Sequence, residues 1–475
     1  VNKMKKIVIK KATANNLKGI DLEIPLEGLV GIVGPSGSGK SSLIEGVLFN
    51  EENRKQFVQS KLPGIQHLSQ RVVLPRNSRL SLGEYNLKRL DRKLKQLNPG
   101  ELLIVDEPCA GMTEQEAKGV VERLRKVANA GVSVLVVEHA REVIKEMNYL
   151  IEFGPGSGRY GGEVVFQGVS SEFKKSGTLT SRCVFEGAKI EIKRAPNDKS
   201  QKFSKLESGI TGVNHRNLKN FGFKFPLASL DCIFGPIGTG KTALLDAAYR
   251  SFFKGKNAWK IRADFEKAAV NKNHVRRSYL VEQSPISKNP RSFVGTYMGF
   301  WDEIRNVFAD LPEAKKSKLT KSDFSLNTPS HQKNKRKVEA ARFSKKSIFD
   351  VLGMTMDEAW DLFKENALIS RKINFLREVG LGYLVVGQPA ASLSGGEAQR
   401  VRLAKVLSKK LSDRCLYILD TPSRGLHLSD LESLLKTFYG IIDKNNTILI
   451  ADNKKELINK ADFAFEVKEL SKKQN

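Results

Sequence analysis

The chain has 475 residues, 40% of them hydrophobic and 28% charged, enough for two or three domains with real cores. Lysine and arginine outnumber aspartate and glutamate by 28, an excess that points to a polyanionic partner, most often nucleic acid, rather than to solubility alone. No apolar run approaches the ~18 residues that span a bilayer, and the N-terminal stretch is not apolar enough for a signal peptide. Four scattered cysteines (Cys109, Cys183, Cys232, Cys415) form no CxxC pair, which argues against structural zinc and disulfides and fits a reducing cytoplasm.

In chain order, the first strong signal is an apolar strand, LVGIV (29–33), that enters GPSGSGKS (34–41) and leaves as a helix, SSLIEGVLF. This is G-x4-G-K-[ST] in the strand–turn–helix context that a phosphate-binding loop needs. Gly34, Gly37 and Gly39 let backbone N–H groups wrap phosphates, Lys40 reaches the outer phosphates, and Ser41 is placed to hold Mg²⁺. LLIVDEPCAGMT (102–113) follows, an apolar strand ending in Asp106 with Glu107 next to it. GVSVLVVEHAREVI (131–144) continues a βα alternation that indicates a parallel sheet covered by helices.

A polar, basic junction at 194–209 separates residues 1–193 from a second copy over 210–475. NLKGIDLEIPLEGLVGIVGPSGSGKSSL from Asn16 lies over NLKNFGFKFPLASLDCIFGPIGTGKTAL from Asn217, ungapped, at a constant offset of 201. The second loop is GPIGTGKT, with Gly235, Gly238, Gly240, Lys241 and Thr242 in the corresponding places. Its acidic strand reads LYILDTPSRGLH (416–427), so Asp420 matches Asp106 but Thr421 stands where Glu107 does. Between them lies an insert over about 284–392, which carries the basic residues Lys333, Lys335, Arg336, Lys337, Arg342, Lys345 and Lys346. These are either a solvated loop or a set of DNA-phosphate contacts, which would position a duplex without reading its sequence. The lone histidines His67, His215, His331 and His427 cluster with neither carboxylates nor cysteines and read as structural or surface residues.

The stretch GLGYLVVGQPAASLSGGEAQRVRLA (380–404) resembles the signature of ATP-binding cassette (ABC) ATPases and, in its wider wording, the UvrA family of bacterial nucleotide excision repair. EFGPGSGRYGGEVVFQG, VEHAREVI and IFDVLGMTMDEAWDLF agree with it, so the resemblance covers nearly the whole chain. It implies an α/β fold of two tandem ABC-type P-loop modules, each a mainly parallel sheet core with a helical signature subdomain. It implies ATP and Mg²⁺ as ligands, ATP hydrolysis without nuclease chemistry of its own, duplex DNA as partner, a homodimer and a cytoplasmic location.

In this family each nucleotide is sandwiched between the P-loop of one module and the signature of the other. One site then takes Lys40, Ser41, Asp106, Glu107 and the switch histidine His139 from the first module, and Ser394, Gly395 and Gly396 from the second. The other takes Lys241, Thr242 and Asp420, together with a degenerate first-module signature at LSLGE (80–84), where Leu82 replaces a glycine. There Thr421 stands for the glutamate and Asn453 for the histidine. Gln283 matches the Q-loop glutamine that contacts Mg²⁺ or the attacking water, and Gln70 or Gln66 is its first-module counterpart.

Two departures bear on the role. About forty residues separate Ser41 from Leu80, too few for the UvrB-binding and insertion domains the family places there, which puts a UvrB interaction in doubt. The insert has no cysteine where the family has zinc-ligating pairs, so no zinc is expected. Damage recognition is the leading expectation, with a UvrA-derived ATPase outside repair (resistance, mobile-element or regulatory) as the alternative. A ribosome-acting ABC protein fits the charge but not the signature wording.

Overall fold

The computed structural model describes residues 5–69, 82–186, 206–253, 268–281, 286, 289, 292–325, 329–409 and 413–467. The chain divides into two compact units, Val1–Glu282 with Ser412–Asn475, and Gln283–Leu411.

In the first unit, β1 (Lys6–Ala12) and β2 (Ile20–Pro25) form an antiparallel pair. The first core is built from β3 (Leu29–Val33), β4 (Ile65–Leu68), β5 (Leu102–Asp106), β6 (Ser133–Val137), β7 (Tyr149–Gly154) and β8 (Glu163–Val169). They pair in the order β4-β5-β6-β3-β7-β8, all parallel except the β8 edge. Every residue of β3 and β6 is buried, the near-continuous apolar run expected of a parallel strand covered on both faces. Helix α1 (Leu82–Leu94) begins inside the degenerate signature LSLGE (80–84), and α2 (Glu114–Asn129) covers the sheet. Ala117, Val120, Val121 and Leu124 of α2 are buried at helical spacing, and a Thr113–Glu116 capping box starts the helix.

The second core repeats this order. An antiparallel sheet of β9 (Glu207–His215), β10 (Leu218–Pro226) and, after β11 (Leu230–Phe234), β12 (Ala269–Val270) stands beside it. The core strands are β11, β13 (Arg277–Val281), β14 (Cys415–Asp420), β15 (Thr447–Ala451) and β16 (Phe463–Glu466), paired as β13-β14-β15-β11-β16 and all parallel. Helices α3 (Lys241–Phe252) and α4 (Leu428–Ile442) correspond to the post-P-loop helix and to α2. The repeat read from the sequence is thus a repeat of sheet order as well.

The second unit is helical. Its longer helices are Trp301–Ala309, Pro329–Ala340, Met356–Phe363, Ala367–Glu378 and Gly395–Leu407, packed through Phe308, Phe324, Val338, Ile373 and Leu376. Part of the basic stretch is therefore a helix and not a loop. Lys335, Arg336 and Lys337 are exposed on it while Val338 anchors the opposite side. Arg342, Lys345 and Lys346 are exposed at the tight turn that follows, where Arg342 pairs with Asp350 at 3.5 Å; nothing is described of the Lys333 side chain.

Candidate functional site

Each core strand β3 and β11 feeds a turn that only glycine can make here. Gly34 has φ +127°, and a Cβ on it would lie 2.1 Å from the Phe153 carbonyl oxygen; Gly235 has φ +143° and would meet the Val467 oxygen at 2.5 Å. The loops close over their own lysines. Lys40 Nζ donates to the carbonyls of Gly34 and Pro35, both at 2.7 Å, and Lys241 Nζ donates to those of Gly235 and Pro236. Two carbonyls of its own loop thus hold each ammonium beside the backbone amides of the turn. Beyond the loop the cores differ, because residues 42–48 run as a π-helix whereas α3 is a regular α-helix.

Strands β5 and β14 deliver Asp106 and Asp420 to the same edge. Thr242 Oγ1 donates to Asp420 Oδ2 at 2.8 Å, a hydroxyl–carboxylate pair whose hard oxygens suit Mg²⁺. Burial pushes the Asp420 carboxyl above its ordinary range, opposed by the hydroxyls of Thr242 and Thr421 and by Lys241. Ser41 is exposed at the end of its loop.

The next residue is where the two cores part. Glu107 and Thr421 both sit at φ 48°, and their N–H groups donate to Val137 and Ala451 at 2.9 and 2.7 Å. Both turns hold a non-glycine residue in the left-handed region, so both carry the same backbone strain. Only the side chain differs. Glu107 is buried with an oxygen 4.0 Å from His139 Nε2; Thr421 Oγ1 instead donates to Asp420 Oδ1 at 3.1 Å. Burial, with Asp106 beside it, pushes the Glu107 carboxyl up to about 8, while Arg424 and Lys40 pull it down. Burial and Lys40 hold His139 well below its usual range, so its imidazole is neutral.

At the position of His139 the second core has Asn453, and its amide is committed. Oδ1 accepts from Gly235 N at 2.9 Å, and Nδ2 donates to the carbonyls of Gly235 at 2.9 Å and of Gly111, in the first core, at 2.8 Å. Sequence reasoning missed the acid just before each switch residue. Glu138 accepts the N–H groups of Cys109, His139 and Ala140 at 3.0, 2.6 and 3.1 Å. Asp452 accepts from Ser423 N and Oγ and from Lys454 N at 3.0, 2.8 and 2.9 Å. Each ties the turn after the acidic strand to the switch loop. Its signal was the carboxylate shared by VEH and ADN at one aligned position.

The two cores grip each other reciprocally, as an interface built on pseudo-twofold symmetry must. Ser36 N, in the first P-loop, donates to Asp430 of α4 at 3.0 Å; Ile237 N, its counterpart, donates to Glu116 of α2 at 2.7 Å. Ser36 Oγ also donates to the Gly425 carbonyl at 2.8 Å, Arg141 pairs with Glu456 at 3.1 Å, and Lys455 pairs with Glu114. The first residues of α1 face the second P-loop: a Cβ on Gly83 would meet Ile237 at 2.8 Å, and one on Gly238 would lie 3.2 Å from Glu84. Leu80, Ser81, Gln70 and Gln283 lie outside the described residues, as does most of the 194–209 junction. Gln66 sits on edge strand β4 and is bound to Lys93 and Glu101.

A cavity of about 630 Å³ lies between the cores, walled by Glu107, Glu138 and His139 on one side and by Arg424, Asp452 and Lys454 on the other. In the helical unit, Ser394 caps the helix Gly395–Leu407 in a box with Glu397, which Tyr383 also holds, leaving the amides of Gly395 and Gly396 at a helix N-terminus. Of the histidines set aside as structural, His67 stacks on Phe49, His215 pairs with Asp246 at 2.7 Å, and His427 is buried against Thr180 at 3.1 Å; the side chain of His331 is not described. Among the described residues no group of three or more His, Cys, Asp and Glu could hold a metal ion, and no helix is long and apolar enough to cross a membrane.

No protein-family model matches the chain. UvrABC system protein A of Aquifex aeolicus is 34% identical over 423 residues, 82% of this chain and 45% of that protein. Its namesakes in Thermus thermophilus and Bacillus subtilis are each 32% identical, over 82% and 81% of this chain and 44% and 43% of theirs. The crystal structure of UvrA2 from Deinococcus radiodurans is similar with a TM-score of 0.71 and 30% identity, over 82% of this chain and 50% of that one. The chain spans about half the length of the curated relatives it matches.

Proposed function

The chain belongs to the UvrA-like ABC ATPases, and from that premise we propose that it binds duplex DNA under the control of ATP, hydrolysing nucleotide at one site and holding it at the other. The observation that carries this asymmetry is the matched pair of strained turns: the same backbone presents a buried Glu107 beside His139 in one core and Thr421 in the other.

In the hydrolytic site, the amides of loop 34–39 and Lys40 bind the phosphates of ATP, with the ammonium giving up its carbonyl contacts for them. Asp106 and Ser41 would hold Mg²⁺, which neutralises charge on the outer phosphates when bound. Glu107 takes the proton of a water whose oxygen attacks the γ-phosphorus. The bond to the β–γ bridging oxygen breaks, and ADP leaves with the electron pair. Neutral His139, whose Nε2 lies 4.0 Å from Glu107, donates an N–H to the γ-phosphate. Ser394, Gly395 and Gly396 keep the capped helix N-terminus with which a signature of this family meets a terminal phosphate. Such a base contributes about 10²–10⁴ in rate, and a threonine hydroxyl cannot replace it near neutral pH.

Lys241, Thr242 and Asp420 keep what binding requires, so the second site retains nucleotide while Asn453, occupied with Gly235 and Gly111, does not respond to its terminal phosphate. Glu107→Gln is expected to abolish steady-state hydrolysis and Thr421→Gln to change it little. Substantial turnover in the Glu107 variant would sink the assignment.

For DNA, the exposed Lys335, Arg336, Lys337, Lys345 and Lys346, joined by Arg342 and Lys333, supply phosphate contacts suited to any sequence. Inherited damage recognition in nucleotide excision repair is the reading this family supports, with the homodimer that the family forms. Binding to lesion-bearing and undamaged duplex, at two salt concentrations and with and without ATP, tests it; equal affinity throughout would overturn it. A second reading, a specialised ATPase outside repair, is favoured by the short path from Ser41 to α1, which leaves no room for a UvrB-binding domain.

A further inference from the structure

The turn that carries Thr421 also carries an arginine that the reaction as described does not use. Arg424 is 6% exposed, and its N–H donates to the Thr421 carbonyl at 3.2 Å to close the turn. The turn is fastened to the P-loop of the other core. The Gly425 carbonyl, next to Arg424, accepts from Ser36 Oγ at 2.8 Å, and Asp430 accepts from Ser36 N at 3.0 Å. Arg424 and Glu107 line the same cavity, together with His139. Arg424 and Lys40 both draw the Glu107 carboxyl down against its burial, and the carboxylates acting on the buried Arg424 are Glu107 and Asp106 of the opposite core and Asp420 of its own.

The mirror position in the first core is Ala110, followed by Gly111 where the second core has Gly425. The first core therefore offers only a methyl group towards the site that lacks a glutamate. Glu107 and Arg424, one from each core, fall on the same site, and Thr421 and Ala110 fall on the other.

We propose that Arg424 is a catalytic residue of the Glu107 site, contributed by the second core, whose guanidinium neutralises the charge that moves onto the bridging oxygen and leaving phosphate of a nucleotide held by Lys40. As water attacks the γ-phosphorus and the bond to the bridging oxygen breaks, negative charge moves onto the leaving β-phosphate. A fixed, always-protonated guanidinium stabilises that change and gives up no proton. Because its turn is bound to Ser36, the guanidinium reaches the phosphate only while the cores are closed, so hydrolysis depends on both cores even though its base comes from one. The proposal rests on Glu107 being the base.

The test uses the full chain and ATP. Arg424→Ala is expected to lower kcat about 100-fold or more. KM and the affinity for a fluorescent ATP analogue should stay within about threefold, with the urea-unfolding midpoint unchanged. Arg424→Lys should recover part of kcat, because it restores charge without the planar fork. An Arg424→Ala enzyme that keeps kcat within about threefold overturns the proposal. So does one whose kcat loss comes with equal losses of nucleotide affinity or of stability, which would make Arg424 a buried counter-ion. Failure of the underlying assignment shows separately, as hydrolysis surviving in Glu107→Gln.

Discussion

Replacing Asn453 with alanine removes an amide that makes three hydrogen bonds to backbone atoms, at 2.9, 2.9 and 2.8 Å, two within its own P-loop and one to Gly111 across the core–core interface. A net hydrogen bond contributes about 0.5–1.5 kcal/mol, and the part-buried partners left behind regain water incompletely. The sum is a loss of about 2–3 kcal/mol. The assay is urea unfolding without nucleotide, followed by far-UV circular dichroism. Tryptophan fluorescence is unsuitable, because the described tryptophans, Trp301 and Trp360, both lie in the helical unit. If Asn453 is a staple, its loss lowers the stability of the paired cores without ATP being present at all. Asn453→Asp keeps the acceptor for Gly235 N but sets a carboxylate oxygen against the Gly235 and Gly111 carbonyls that Nδ2 served, so it should lose at least as much stability as alanine. An alanine variant within about 0.5 kcal/mol of the parent would refute the reasoning, since surface changes commonly stay inside that range.

Three further outcomes follow from the same geometry. His427 is buried at the start of α4, and its Nε2–H donates to Thr180, whose own proton goes to Glu152. Burial, with Lys40 and Lys454 nearby and Asp430 opposing, takes the His427 imidazole down to about 4 from an ordinary 6.5. The folded state therefore binds this proton less readily than the unfolded chain. Stability from His427 is complete above about pH 6.5 and falls by about 3 kcal/mol as pH drops towards 4, a slope that His427→Gln should remove from the pH–stability curve. Gly34→Ala drives a methyl onto the Phe153 carbonyl at φ +127°, so ATP affinity and folding should both suffer, with a soluble, tight-binding variant as the contrary result. Replacing Lys335, Arg336 and Lys337 together with glutamine should weaken DNA binding uniformly across sequences and flatten the slope of log affinity on log salt by about 2–3. An unchanged slope would place the phosphate contacts elsewhere.

Much of the site was legible because its parts are local. A P-loop is a strand, a turn and a helix contiguous in sequence, and Gly34, Lys40, Gly235 and Lys241 had to appear at fixed spacing. The acidic strands were legible for the same reason, and two copies of each motif showed which residues had changed. Glu138 and Asp452 were visible but unremarked. Their work is to bind N–H groups some thirty residues upstream, at Cys109 and Ser423, and nothing at their own position announces it. The basic stretch was ambiguous because lysines sit equally well on a loop and on the outer side of a helix. The buried Val338 anchors the helix, and one apolar residue among charges is a weak periodic signal.

By itself, the sequence determined the repeat, the two P-loops, the signature helix and the chemical inequality of Glu107 and Thr421, since each is a property of side chains at short range. Tertiary structure alone decided that Ser36 meets Asp430 and Ile237 meets Glu116, that Asn453 is engaged with both cores, and that Arg424 lines one cavity with Glu107 and His139 of the opposite core. Those partners stand more than a hundred residues apart, and no periodicity records a contact that exists only after two sheets of the same order have closed on each other.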